Sequence, residues 1–219
     1  MNPLDRLTSL FEKFPGIGPR QARRFVQFLL IEQPGFRTDL AEHIRHLGAQ
    51  TSQCNRCWRW YSNEAKETPT PKGRGPDRSV GENICSICSN LHRDKATLFV
   101  LEKDADIDNV ERSGYRGLYF VLGGTIALAA EEPEKYIRMR ELLRRIEQDA
   151  SALQLSEVIL GLSATSEGDH TRKLLQEKIL PIAEGLNFKI SSLGRGLSTG
   201  SELEYADPDT IANALSSRS

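Results

Sequence analysis

The four cysteines of this chain fall into two matched pairs, Cys54-x-x-Cys57 and Cys85-x-x-Cys88. No other feature limits the fold as strongly. A C-x-x-C turn lets two thiolates reach one ion from a tight knuckle, and a second knuckle completes a tetrahedral shell of four sulfurs. Such a shell leaves no open position for a substrate water, so the expected metal is one structural zinc ion per chain. The competing readings are redox or disulfide motifs. Residues 1–30 contain no long apolar run and no small-residue cleavage site, so the expected compartment is the reducing cytoplasm, where thiols favour zinc. Between Cys57 and Cys85 lie 27 residues, more than a ribbon or finger normally uses, and the excess reads as a loop.

That loop is visible in composition. Residues 62–83 hold Pro69, Pro71, Pro76, Gly73, Gly75 and Gly81 but only Ala65 and Val80 as aliphatic residues. Such a stretch cannot bury a core. Its Lys66, Lys72, Arg74 and Arg78 make it locally basic, suited either to nucleic acid or simply to water.

Before the cysteines, Leu4, Leu7, Leu10 and Phe11 recur at helical spacing, and Ala22, Phe25, Val26, Leu29 and Leu30 resume it after Phe14-Pro15-Gly16-Ile17-Gly18-Pro19. The spacing predicts helix, tight turn, helix. Gly16 and Gly18 permit positive φ, and Pro19 suits the first turn of the second helix. A further helix is expected over Thr38 to Leu47. A glycine turn opening a helix presents backbone amides and a positive helix end to a phosphate, and Arg20, Arg23 and Arg24 add charge there. The alternative is a helical hairpin that only closes a small core. Residues 1–61 carry nine Lys and Arg against five acids, a net of +4 in a chain of net charge −1. A polyanion would therefore be met at this end.

From Thr97 onward the pattern alternates. Strands are expected at 98–101, 118–122, 158–160 and 188–190, and helices at 106–112, 134–150, 169–183 (kinked or ended by Pro181) and 208–216. The fold class is α/β, with a mostly parallel sheet flanked by helices. At its strand ends stand Glu102 and, after Val158-Ile159-Leu160, the run Gly161-Leu162-Ser163-Ala164-Thr165-Ser166-Glu167-Gly168-Asp169. Carboxylates at the C-terminal edge of a parallel sheet suit a metal-dependent phosphoryl-transfer site, although acids at a helix start are also common for dipole reasons. The glycines of 194–200 read as a simple turn, since no Gly-Lys-Ser/Thr follows.

Segment 158–171 resembles the strand and loop of the toprim domain, in which an Asp-x-Asp pair followed by Glu-Gly binds magnesium. Glu102 and Glu167-Gly168 match that pattern, but Ser163 and Thr165 stand at the two aspartate positions. Two hydroxyls cannot replace two carboxylates around a hard divalent cation. Glu102, Glu167 and Asp169 are thus expected to form a residual cluster that holds magnesium weakly or not at all.

Taken in order, the Pro15-Gly16-Ile17-Gly18 turn, the four cysteines, Arg93-Asp94, Leu101-Glu102, Gly114 to Tyr119, Val121-Leu122-Gly123-Gly124, Glu167-Gly168 and Glu202 to Asp207 resemble the RecR family of bacterial recombination mediators. The resemblance implies a helix-hairpin-helix region for DNA binding and oligomerisation over 1–53. A zinc module would span 54–95 with loop 62–83 inserted, followed by a toprim-like domain over 96–195 and a tail with a helix over 196–219. It also implies a ring-forming homotetramer that clamps single- or double-stranded DNA without sequence specificity. Such a clamp would work with RecO and RecF to load RecA at single-stranded gaps, and Arg20 and Arg24 take the places of the family's DNA contacts. A non-enzymatic clamp is the leading expectation. The alternatives are a magnesium-dependent toprim nuclease and a zinc-stabilised interaction module that never touches DNA.

Overall fold

The computed structural model describes residues 2–63, 83–132, 135–153, 155–194, 200 and 202–216. Most of the basic loop over 62–83, including Lys66, Lys72, Arg74 and Arg78, lies outside them, as does 195–199 of the glycine-rich turn. Two compact units divide the chain, residues 1–51 and 52–219, and the cysteines and the sheet share the second.

The first unit consists of helices α1 (Pro3–Phe11), α2 (Pro19–Ile31) and α3 (Pro34–Gln50). Each begins with a proline in its first turn, where the missing N–H costs nothing. For that reason α3 starts at Pro34, one turn earlier than the apolar pattern from Thr38 suggests. Arg37 donates from Nη1 to the carbonyl of Leu29 at 2.9 Å, satisfying an orphan acceptor at the end of α2. Phe11 packs edge-on against Phe25 across the turn, with ring centroids 5.5 Å apart.

From the boundary residue Thr51 the chain forms a two-stranded ribbon, β1 (Thr51–Gln53) and β2 (Trp60–Ser62), and then the short helix α4 (Ser86–Ser89). Then come β3 (Thr97–Leu101), α5 (Asp106–Arg112), β4 (Leu118–Val121), α6 (Met139–Leu153), β5 (Glu157–Gly161), α7 (Ser166–Leu186) and β6 (Lys189–Ser192). A 3-10 turn (Leu203–Tyr205) and α8 (Pro208–Ser216) complete the described chain. The four long strands form one parallel sheet in the order β4-β3-β5-β6, with Leu98 opposite both Leu118 and Val158. The expected alternation of strands and helices is thus realised. The ribbon is an addition that short Thr- and Trp/Tyr-containing segments around a knuckle announce only faintly.

Because successive strand residues point to opposite faces, the sheet has two cores. Leu98, Val100, Leu118, Phe120, Val158 and Leu160 pack against Leu142 and Ile146 of α6 and Leu175 and Ile179 of α7. Phe99, Leu101, Tyr119 and Val121 face the other way, onto Ile107 of α5 and the buried cysteines. Helix α7 runs through Pro181 to Leu186 and stops where Asn187 turns left-handed, φ 56°. Pro181 is exposed, so the acceptor that loses its helical donor can be hydrated.

Candidate functional site

The ribbon and α4 bring the four cysteines together. Trp58 N–H donates to the Cys54 carbonyl at 2.9 Å and Cys54 N–H to the Arg59 carbonyl at 2.9 Å, closing the first knuckle. The turn needs a left-handed residue after Cys57, and Trp58 takes it at φ 63°. Cys85 stands at the N-cap of α4 and Cys88 inside it. All four thiols are buried and free, and their Sγ atoms lie within 4.8 Å of one another. Cys57 Sγ and Cys85 Sγ are 3.6 Å apart. Sulfurs bound at about 2.3 Å to a tetrahedral ion stand about 3.8 Å apart, so the quartet fits a zinc-sized metal. The amides of Arg56 and Cys85 each donate to Cys54 Sγ at 3.4 Å, the usual support for a thiolate. Thiol hydrogen bonds with Cys57, Cys85 and Cys88 pull Cys54 far below the ordinary thiol range, and those with Cys54, Cys85 and Cys88 drive Cys57 far above it. Four thiols so close together cannot all ionise without a cation among them.

A buried polar lattice fixes this cluster to the sheet. Val121 N–H donates to the Cys57 carbonyl at 2.8 Å, which closes the outer edge of β4. Arg145 of α6 donates to the Arg56 carbonyl at 2.6 Å and pairs with Asp149, which also accepts from Arg56 Nη2 at 3.0 Å. Arg145 and Asp149 are 4% and 2% exposed. Asp104 Oδ1 accepts from the Trp60 amide at 3.0 Å, so this strand-end carboxylate fastens the ribbon. Burial raises the Asp104 pKa. Sequence reasoning missed the Arg56–Arg145–Asp149 lattice. An Arg and an Asp four apart on a helix look like an exposed pair, and only their burial distinguishes them.

At the C-terminal edge of the sheet, Glu102 follows β3 and is 8% exposed. Burial would raise its pKa, but hydrogen bonds from Lys103, whose Nζ is 3.0 Å away, and from Ser163 hold it below the ordinary carboxylate value. Ser163 Oγ lies 3.1 Å from Thr165 Oγ1, which accepts from Gly168 N–H at 3.1 Å and so caps α7. A side chain at Gly168 would meet the Ser163 carbonyl at 2.0 Å, which explains the glycine. Glu167 is exposed, and Asp169 pairs with Arg172 at 2.7 Å. Among the described residues the cysteine quartet is the only cluster of metal-ligating groups, so Glu102, Glu167 and Asp169 are not drawn into one.

In the first unit Gly16 takes φ +75° and Gly18 forms the N-cap of α2. Having no side chain, Gly18 leaves the first amides of α2 uncapped. Arg20, Arg23 and Arg24 are exposed on the first turns of that helix, and no carboxylate pairs with them among the described residues.

A four-cysteine cluster able to hold a metal ion, beneath a parallel sheet whose edge carries Glu102 and a Glu-Gly helix start, defines a toprim protein. Residues 96–193 match the family model of the Toprim domain, and residues 196–219 match that of the RecR C-terminal region. Proteins called recombination protein RecR from Chloroflexus aurantiacus, Herpetosiphon aurantiacus and Rickettsia typhi are 34%, 35% and 33% identical to this chain. Each alignment covers 99% of it and 93%, 93% and 96% of the relative. The chain belongs to the RecR family. No helix among the described residues is long and apolar enough to cross a membrane.

Proposed function

We propose that the chain is a non-enzymatic DNA clamp and mediator of recombination repair. It would act with RecO and RecF to help load RecA at single-stranded gaps. Membership of a family whose members are called recombination proteins, over 99% of the chain, carries this reading. The uncapped start of α2, with three exposed arginines around it, supports a sequence-independent phosphate contact. In that contact Arg20 and Arg24 share one helix face, and Arg23, turned by about 100°, serves a neighbouring subunit. Gly16 and Gly18 let the backbone approach the phosphate.

The cysteine quartet holds one zinc ion, which cross-links ribbon and sheet and supplies no chemistry. Magnesium binds weakly or not at all at Glu102, Glu167 and Asp169, which is why no nuclease turnover is expected. Leu4, Leu7, Phe11, Leu29, Leu30 and Ile44 line an apolar recess of about 510 Å³ within the first unit. That recess supports pairing of these helices between copies in a closed, tetrameric ring in the cytoplasm.

Binding of labelled single-stranded and duplex DNA across a salt series tests the proposal. Each of Arg20→Ala and Arg24→Ala should reduce the slope of log affinity against log salt by roughly one unit, alike for all sequences. Zinc content and mass should not change. Wild-type affinity and slope in the double variant, or magnesium-dependent cleavage that disappears in Glu102→Ala, would overturn it.

A further inference from the structure

The first knuckle carries two tryptophans that the metal site does not use. Trp58 lies beneath the Arg138 guanidinium, 5.4 Å from ring centroid to Cζ. Trp60 is 54% exposed although its amide is tied to Asp104. Between them Arg59 keeps a buried Nε with no acceptor among the described residues. Arg138 also lines a recess of about 640 Å³ with Tyr136, which is 55% exposed. Most of that lining is polar. Its acids are Glu132, paired with Lys135, and Glu141. Asp104 faces both Arg59 and Arg138.

We propose that Trp60, next to Arg59 in the chain, is a stacking platform for an unpaired nucleobase, with Tyr136 as a second platform at the recess that Arg138 lines. The occupant is a single strand of nucleic acid. An exposed indole on an anchored strand offers a flat π-face at little entropic cost, and the basic residues lining the recess suit the phosphates between bases. A polar, partly basic recess fits a polyanion better than an apolar peptide. Duplex DNA hides its bases and gains nothing here, so this surface distinguishes single strands from duplexes, which the α2 arginines do not. The inference rests on the DNA-binding reading above.

The chain has two tryptophans, so Trp58→Phe leaves Trp60 as the only indole reporter. Its emission should be quenched by a thymidine oligonucleotide and not by a duplex of equal length. Trp60→Ala should weaken thymidine-strand binding about 5- to 100-fold, leave duplex binding within about twofold, and recover largely as Trp60→Tyr. If Trp58→Phe fails to fold, the Trp60 variants still decide the matter by oligonucleotide anisotropy. Binding of both nucleic acids with Trp60→Ala indistinguishable from the parent overturns this inference alone. Binding of neither overturns it together with the clamp.

Discussion

Helices α1 to α3 bury only Ala22 and Val26, whereas the unit from Ser52 onward buries both faces of its sheet. In the first unit Leu10, Phe14, Phe28, Leu30, Ile31, Ile44 and Leu47 all remain about half exposed or more. Three helices of 9, 13 and 17 residues cannot offset their chain entropy with so little burial. In the second unit Phe120, Leu98, Leu142 and Leu160 are essentially inaccessible, each contributing about 1.5–3 kcal/mol by burial. One unit is stabilised from within, and the other leaves most of its large apolar side chains open to solvent. Metal, buried charge, concentration and pH should therefore act on the two differently.

Metal removal should have the largest effect, and only on residues 52 onward. The quartet shares a core with Phe99, Leu101, Tyr119 and Val121, so its loss opens one face of the sheet and the edge of β4. Structural zinc is worth about 10 kcal/mol or more in small domains, and Cys57→Ser or Cys85→Ser should unfold the ribbon and cost several kcal/mol overall. Thermal melts with metal analysis check this. A full complement of folded sheet in metal-free protein would show that packing alone supports the second unit.

Next in size is the buried lattice. Asp149→Ala leaves Arg145 charged and unpaired among buried groups, at a cost of about 3–5 kcal/mol. Replacing both residues with apolar ones of similar volume should restore most of that loss. Denaturant midpoints of the single and double variants provide the measurement, and a single variant within about 1 kcal/mol of the parent would place the charge in water instead.

The sheet, its helices and the pairing of the cysteines could be read from the sequence because each is encoded locally. Strands such as Leu98-Phe99-Val100-Leu101 are continuous apolar runs, and two C-x-x-C turns have few other uses. What holds the knuckle onto the sheet is not local. Cys57 meets Val121, and Arg56 meets Asp149 ninety-three residues away, a contact that no spacing rule announces. Nothing local marks Asp104, three residues past the end of β3, as the acceptor of the Trp60 amide. Pro34 moved the start of α3, since a proline before an apolar pattern reads equally well as a linker.

Concentration should act on the first unit alone. If a second copy covers Leu4, Phe11 and Leu30, every tenfold dilution through the dissociation range should weaken α1 and α2 by about 1.4 kcal/mol while the sheet amides stay fixed. Hydrogen exchange at two concentrations separates the units. Leu30→Glu should reproduce the diluted pattern at high concentration. Strong protection of α1 in a dilute monomer would mean that the three helices are stable as they stand.

The smallest effect is on acid stability, and it belongs to the second unit. Burial pushes the Glu111 carboxyl up, but Arg93, donating from Nη2 at 2.6 Å, and the Tyr119 hydroxyl more than offset this, leaving its pKa below the ordinary 4.5. A carboxylate whose folded pKa is depressed stabilises the fold above its unfolded value, and that contribution disappears as pH falls through the folded one. The side chain is 33% exposed, so solvent screening limits the contribution to about 1 kcal/mol. Glu111→Gln should therefore be less stable than the parent by about that amount at neutral pH, and the difference should close as the solution is acidified below the folded pKa. Denaturant unfolding at both pH values measures it. A gap that persists in acid would assign the loss to the shape of the Arg93 contact rather than to its charge, because a neutral amide cannot mimic the two-pronged acceptor that a guanidinium prefers.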